Sequence, residues 1–161
     1  MLLILLPAFF HMQAGASVSM ETRVVFSAKE KEKTVRLSNT GNQPVFVQVW
    51  LDKGDVNEDV STIDLPFVLT PAIFRMEPGA AQVLRIMHTG EPLPSDKESL
   101  YWLNVLDVPP KPLVEEGQGS MQLAIRTRLK MMYRPQGLPE TPETAPDMLV
   151  WTVGVLSLIH I

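Results

Sequence analysis

The chain has 161 residues, of which 45% are hydrophobic and 20% are charged, and its formal net charge is −4. This length suits one domain with a buried core, and the apolar composition argues against global disorder. The lack of cysteine excludes disulfide scaffolds, thiolate zinc sites and cysteine nucleophiles, and the acidic balance argues against a domain built to bind nucleic-acid phosphate.

Residues 1–16 have the pattern of a secretory signal peptide. An apolar run covers residues 1–10, about half the length that a bilayer span needs, and Ala14-Gly15-Ala16 supplies a cleavage site of small residues. A buried strand or helix is the alternative interpretation. Since no lysine or arginine precedes the run, we expect a misplaced start or an N-terminus farther upstream. No second run of about 20 apolar residues follows, so we predict an exported protein without stable membrane insertion.

The remaining chain is typical of short strands separated by turns. Apolar or alternating patterns occupy residues 22–27, 33–38, 45–51, 67–70, 82–88, 99–108 and 121–133. Turn-forming sequences lie between them, such as Asn39-Thr40-Gly41-Asn42 and Arg75-Met76-Glu77-Pro78-Gly79. Seven strands without a convincing helix predict an all-β fold, an immunoglobulin-like seven-stranded antiparallel β-sandwich.

The sequence offers little for catalysis. His11, His88 and His160 are too few and too scattered for a metal cluster or a catalytic triad, and no phosphate-binding or nucleophile-elbow motif occurs. Most acidic residues, Asp52 among them, fall in predicted loops, and we interpret them as solvated. We therefore predict a protein that is not an enzyme and that uses no metal or cofactor.

The last predicted strand, residues 121–133, is unusually long. At about 40 Å it is roughly twice the usual length. One face is almost entirely apolar: Met121, Leu123, Ile125, Thr127, Leu129, Met131 and Tyr133. The other face carries three basic residues, Arg126, Arg128 and Lys130. An ordinary half-buried strand would explain this pattern, and so would an edge strand exposed to pair with a segment of another protein.

Several motifs, in the same order, resemble the N-terminal domain of the PapD-like periplasmic pilus chaperones. They are Thr22-Arg23-Val24-Val25-Phe26, Arg75-Met76-Glu77-Pro78-Gly79, KESLYWLNV at 97–105, Val108-Pro109-Pro110-Lys111-Pro112, and residues 125–135, which end in Tyr133-Arg134-Pro135. The resemblance implies an immunoglobulin-like domain at residues 17–135. Residues 136–161 would then hold a linker, rich in proline, and the truncated start of a second domain. Because residues 153–161 do not resemble the family, we expect a gene fragment or a frame-shifted tail.

The resemblance also implies a function in the periplasm of a Gram-negative bacterium. The partners of chaperones in this family are pilus or fimbrial subunits and an outer-membrane usher. They lend the last strand of this domain to a subunit that lacks one. On this sequence Met121, Leu123 and Ile125 would enter the groove of the subunit. Arg23 and Lys130 would hold the C-terminal carboxylate of the subunit, which fixes the register.

Other residues have less defined expectations. Glu98 and Arg134 match two members of an ion-pair network between two domains, although they could be a structural pair alone. We expect Arg126 and Arg128 to be solvated positions beside the lent strand.

Two other classes of function stay open from the sequence. One is a structural or interaction β-sandwich module of another exported assembly, and the other is a secreted hydrolase on a β-sandwich. The sequence does not name the pilus system or the oligomeric state. It also leaves open the isomer of the Thr70–Pro71 peptide, which matches a family position that can be cis.

Overall fold

The computed structural model describes residues 17–111 and 121–138, together with the single positions 144, 147 and 150. The predicted signal peptide and most of the predicted linker and second-domain start lie outside the described residues. Nine strands are found in the described part: β1 (Val18–Ser19), β2 (Arg23–Ser27), β3 (Glu32–Asn39), β4 (Val45–Asp52), β5 (Phe67–Thr70), β6 (Ile73–Met76), β7 (Ala81–His88), β8 (Ser99–Val108) and β9 (Ile125–Arg134). Nowhere in these ranges is there a helix of the length and apolar character that a membrane crossing requires.

The strands form two sheets. One has the order β1-β3-β7-β5, and the other has the order β2-β9-β8-β4-β6. The predicted immunoglobulin-like sandwich is confirmed, but the described residues form nine strands instead of seven. The two additional strands are β1, whose two residues are too few for a visible pattern, and β6, whose last two residues belong to the sequence predicted as a turn. One pair, β2 with β9, is parallel rather than antiparallel.

The chain changes sheets between β5 and β6. β5 pairs with β7 in the four-stranded sheet, whereas β6 pairs with β4 in the five-stranded sheet. The Thr70–Pro71 peptide at this crossing is cis. The predicted turn after Arg75 begins later than expected, because Arg75 and Met76 still pair with β4. The turn itself ends at Gly79, whose positive φ of 73° favours glycine.

The core lies between the sheets and is built from alternate residues of each strand. The alternation predicted for residues 45–51 is confirmed, since the odd-numbered valines of β4 are buried. Aromatic rings fill one region of the core, where Phe67 lies 4.9 Å from Tyr101 and 5.8 Å from Tyr133 between ring centroids. Burial, with a smaller contribution from Tyr133, raises the pKa of Tyr101. This core fixes β8 and the second half of β9, on which the candidate site depends.

Candidate functional site

The strand predicted at residues 121–133 is shorter in the structure. It is β9, Ile125–Arg134, and residues 121–124 precede it without strand pairing. The neighbouring strand explains this difference. The last pair between β8 and β9 joins Asp107 to Ile125, and β8 ends one residue later at Val108, before Pro109-Pro110, so the ladder stops before residues 121–124.

The apolar face of this strand is buried at one end and exposed at the other. Its buried part consists of Leu129, Met131 and Tyr133. Its exposed part begins farther toward the N-terminus, where Met121 is 79% exposed, Leu123 59% and Ile125 36%. Alternate residues of an extended strand share a face, so the face that covers the protein's own core continues beyond it. A row of exposed apolar side chains of this kind marks an interaction surface.

One backbone edge of β9 is open between Ile125 and Leu129. β8 covers the other edge along the whole of this stretch. β2, the second neighbour of β9, pairs only from Lys130 onward. Among the described residues, no strand pairs with the open edge, which faces the chain segment 18–22 across a cleft of about 450 Å³. Unpaired N–H and C=O groups in such an edge are a template for another strand.

The two predicted anchor cations lie next to each other. Arg23 is the first residue of β2, and its register partner in β9 is Lys130. Both side chains are exposed, and both point away from the core because Val24 and Met131, the next residues along, are buried. Within the described ranges neither cation has a carboxylate at ion-pair distance. The pair therefore stands at the point where the open edge of β9 ends and β2 begins.

The interpretation of Arg126 and Arg128 as solvated side chains is wrong. Arg128 donates a 2.7 Å hydrogen bond to Asp52, and Arg126 donates to Asn104 at 2.8 Å. The interpretation of Asp52 as a solvated loop residue is also wrong, because it is the last residue of β4 and only 1% exposed. The sequence contained a signal for this. Asp52 is two residues after Trp50, so it belongs to the same face of β4 as Phe46, Gln48 and Trp50.

Glu98 and Arg134 form an ion pair at the opposite end of β9 from the open edge. Arg134 Nη1 donates to Glu98 Oε1 at 2.8 Å, and both side chains are partly exposed. The backbone carbonyl of Arg134 also accepts a hydrogen bond from the Ala28 amide. In the described part of the chain, no group of three or more potential metal ligands lies together.

The fold and this edge together define a class of protein: an immunoglobulin-like sandwich that presents a half-paired, partly apolar strand. The chain belongs to the family described as pili and flagellar-assembly chaperone, PapD N-terminal domain, which matches residues 16–139. The resemblance inferred from the sequence motifs is thus confirmed. The family is one of assembly chaperones and not of enzymes.

Individual relatives agree with this assignment. The chaperone protein FimB/FhaD of Bordetella pertussis is 49% identical over 128 residues, which cover 77% of this chain and 52% of that protein. The probable fimbrial chaperone YadV of Escherichia coli K12 is 46% identical over 133 residues, which cover 81% of this chain and 54% of that protein. The chain therefore spans about half the length of the curated relatives that it matches.

Solved structures show the same likeness. The crystal structure of the YadV chaperone matches with a TM-score of 0.68 and 40% identity, over 84% of this chain and 60% of that one. A chain in the structure of the Salmonella enterica SafA pilin in complex with the SafB chaperone matches with a TM-score of 0.71 and 30% identity. That match covers 88% of this chain and 66% of the other.

Proposed function

We propose that this chain is a chaperone for pilus or fimbrial subunits and that it binds them by lending the open edge of β9. The observation that carries the proposal is the unpaired edge at residues 125–129, which is flanked by exposed apolar side chains. A strand of a subunit that pairs with this edge would continue the five-stranded sheet beyond β9. The fimbrial chaperones among the relatives, and the pilin complex of the SafB chaperone, support the same function.

In this proposal, Met121, Leu123 and Ile125 fill the groove of a subunit that lacks one strand. They alternate along the chain, so they project to one side and can occupy successive pockets. Fully burying each side chain contributes about 1.5–3 kcal/mol. Backbone hydrogen bonds along the open edge pair with the N–H and C=O groups of a subunit strand and depend little on its sequence. One chaperone can therefore bind several subunits.

Arg23 and Lys130 serve as the anchor for the C-terminal carboxylate of the subunit. The groove side chains alone do not fix the register between the two strands, and a slip of one residue would turn every one of them to the wrong face. An anchor for the chain end prevents such a slip. The two cations are neighbours in register and lie where the open edge ends. A chain end held at this point fixes how far a subunit strand can extend along β9.

We place the described sandwich in a domain at residues 17–135, with a linker and the start of a second domain at residues 136–161. Glu98 and Arg134 would help to set the angle between the two domains. Residues 1–16 would direct export to the periplasm, where an outer-membrane usher would receive the loaded subunit. Nucleic acid has no part in this function.

Co-production with a pilus subunit from the same genome tests the proposal. We expect the tagged chain to retain the subunit through affinity purification and size-exclusion chromatography. A subunit whose C-terminus is extended by a short Gly-Ser segment should be lost, because the extension moves its carboxylate away from Arg23 and Lys130. Equal retention of the extended subunit would contradict the anchor, and failure to retain any subunit would contradict the function and favour another kind of sandwich module.

A further inference from the structure

A polar cluster contacts β9 on the outer face of the five-stranded sheet, the face away from the core, and its members Asp52 and Asn104 are buried. We call it the outer clamp, and it consists of Asp52, Asn104, Arg126 and Arg128. Asn104 Nδ2 donates to Asp52 Oδ2 at 2.7 Å, and the Asn104 side-chain oxygen accepts from Arg126 and from Arg128. Asp52 accepts from Arg128 at 2.7 Å and from Arg126 at 3.3 Å. The clamp therefore links β9 to β8 and, across β8, to β4.

Aromatic rings and a loop complete the clamp. The Arg126 guanidinium carbon lies 4.8 Å from the centre of the Trp50 ring, and that of Arg128 lies 4.8 Å from the Trp102 ring. Cations in this position are attracted by the ring faces. Arg126 also donates to the Val56 carbonyl in the loop after β4. The side chain of Arg128 is only 20% exposed, so its pairing with Asp52 takes place largely shielded from solvent.

The clamp contacts the part of β9 that has only one strand neighbour. From Ile125 to Leu129 the strand pairs with β8 alone, and Ile125 on its core-facing side is 36% exposed. Leu129 at the end of this stretch is buried in the core, whereas a strand start with one free edge and an exposed core-facing side chain is prone to local opening. Arg126 and Arg128 belong to this same stretch. Their contacts on the outer face stabilise it where pairing with a second strand is missing.

We propose that Asp52 is a positioning residue for strand lending. It holds residues 125–129 flat in the sheet through Arg126 and Arg128 and leaves their edge free for a subunit. The strand is ordered before the subunit arrives, so the entropy cost of ordering it does not reduce the free energy of binding. This inference rests on the proposed function, since it assigns the clamp to the edge that receives the subunit.

Hydrogen–deuterium exchange of the whole chain is the first test. Asp52→Asn keeps the shape of the side chain but removes the charge that both arginines share. We expect amides within residues 125–129 to exchange about tenfold faster or more, while those of β3 and β7 are unchanged. Arg126→Gln, which leaves the pair of Asp52 and Arg128 in place, should give a smaller local increase and provides a second variant if Asp52→Asn folds poorly.

The control is Glu32→Gln, which removes an exposed ion pair with Arg85 between β3 and β7. It should leave exchange at residues 125–129 as in the unsubstituted chain. Unchanged exchange at residues 125–129 in both clamp variants, or an equal increase in β3 and β7, would overturn the positioning role.

Binding of the co-produced pilus subunit is the second readout. We expect Asp52→Asn to lower retention of the subunit about tenfold, in line with its exchange. Full retention despite faster local exchange would overturn the inference while the proposed function stands. Failure of the unsubstituted chain to retain the subunit would instead overturn the proposed function, and with it the lending role of the clamp.

Discussion

Leu123→Asp is expected to abolish retention of a pilus subunit and to leave the fold of the chain intact. The side chain is 59% exposed in the free protein, so a carboxylate there stays in water. In the complex the same carboxylate would enter an apolar groove without a partner, which costs several kcal/mol, or about a hundredfold or more in affinity. Size-exclusion chromatography of the co-produced complex and thermal unfolding of the free chain measure the two effects.

Val83→Asp is the matched control for this prediction. Val83 is 42% exposed on β7 in the other sheet, so the substitution is chemically the same but lies away from β9. We expect it to retain the subunit fully. Normal retention by Leu123→Asp, or equal loss in both variants, would contradict the assignment of residues 121–125 to the groove of the subunit.

The double substitution of Arg23 and Lys130 by alanine should also abolish the complex. Each cation is expected to contribute a charge-assisted hydrogen bond of about 1.5–3 kcal/mol to the subunit carboxylate, so loss of both lowers affinity about a hundredfold or more. Both side chains are exposed, and the free energy of unfolding should change little. Chemical denaturation of the free chain and subunit retention together check the prediction.

Arg36→Ala, on an exposed position of β3, removes a positive charge from the other sheet and serves as control. It separates a specific anchor from a general attraction between a basic protein surface and a subunit. If the double variant bound as well as Arg36→Ala, the carboxylate anchor would be wrong even though β9 could still be the lent strand.

The strand pattern predicted most of the architecture because burial alternates along each strand. Residues 45–51, 82–88 and 99–108 all became strands with nearly the predicted bounds. The adjacency of Arg23 and Lys130 was implied by family resemblance and not by spacing, since they lie far apart in sequence. Only the parallel register of β2 and β9 makes them neighbours.

The outer clamp was missed for a related reason. Asp52 is followed by Lys53-Gly54-Asp55, a polar sequence typical of loops, and arginines on one face of a strand usually reach solvent. The pairing of Asn104 with Trp50 on one side and with Arg128 on the other brings these groups together. Such pairings depend on sheet register, which a single sequence does not reveal. The start of β9 was predicted four residues too early for the same reason. It depends on where pairing with β8 ends, which the sequence of β9 alone does not show.

Hydrogen–deuterium exchange with and without a bound pilus subunit tests the lending of β9 most directly. Amides of residues 121–129 that have no partner in the free chain should become strongly protected in the complex, while the sheet edges at β5 and β6 keep the exchange rates of the free protein. Protection at β5 or β6 with unchanged exchange at residues 121–129 would show that the subunit binds elsewhere and would contradict the account.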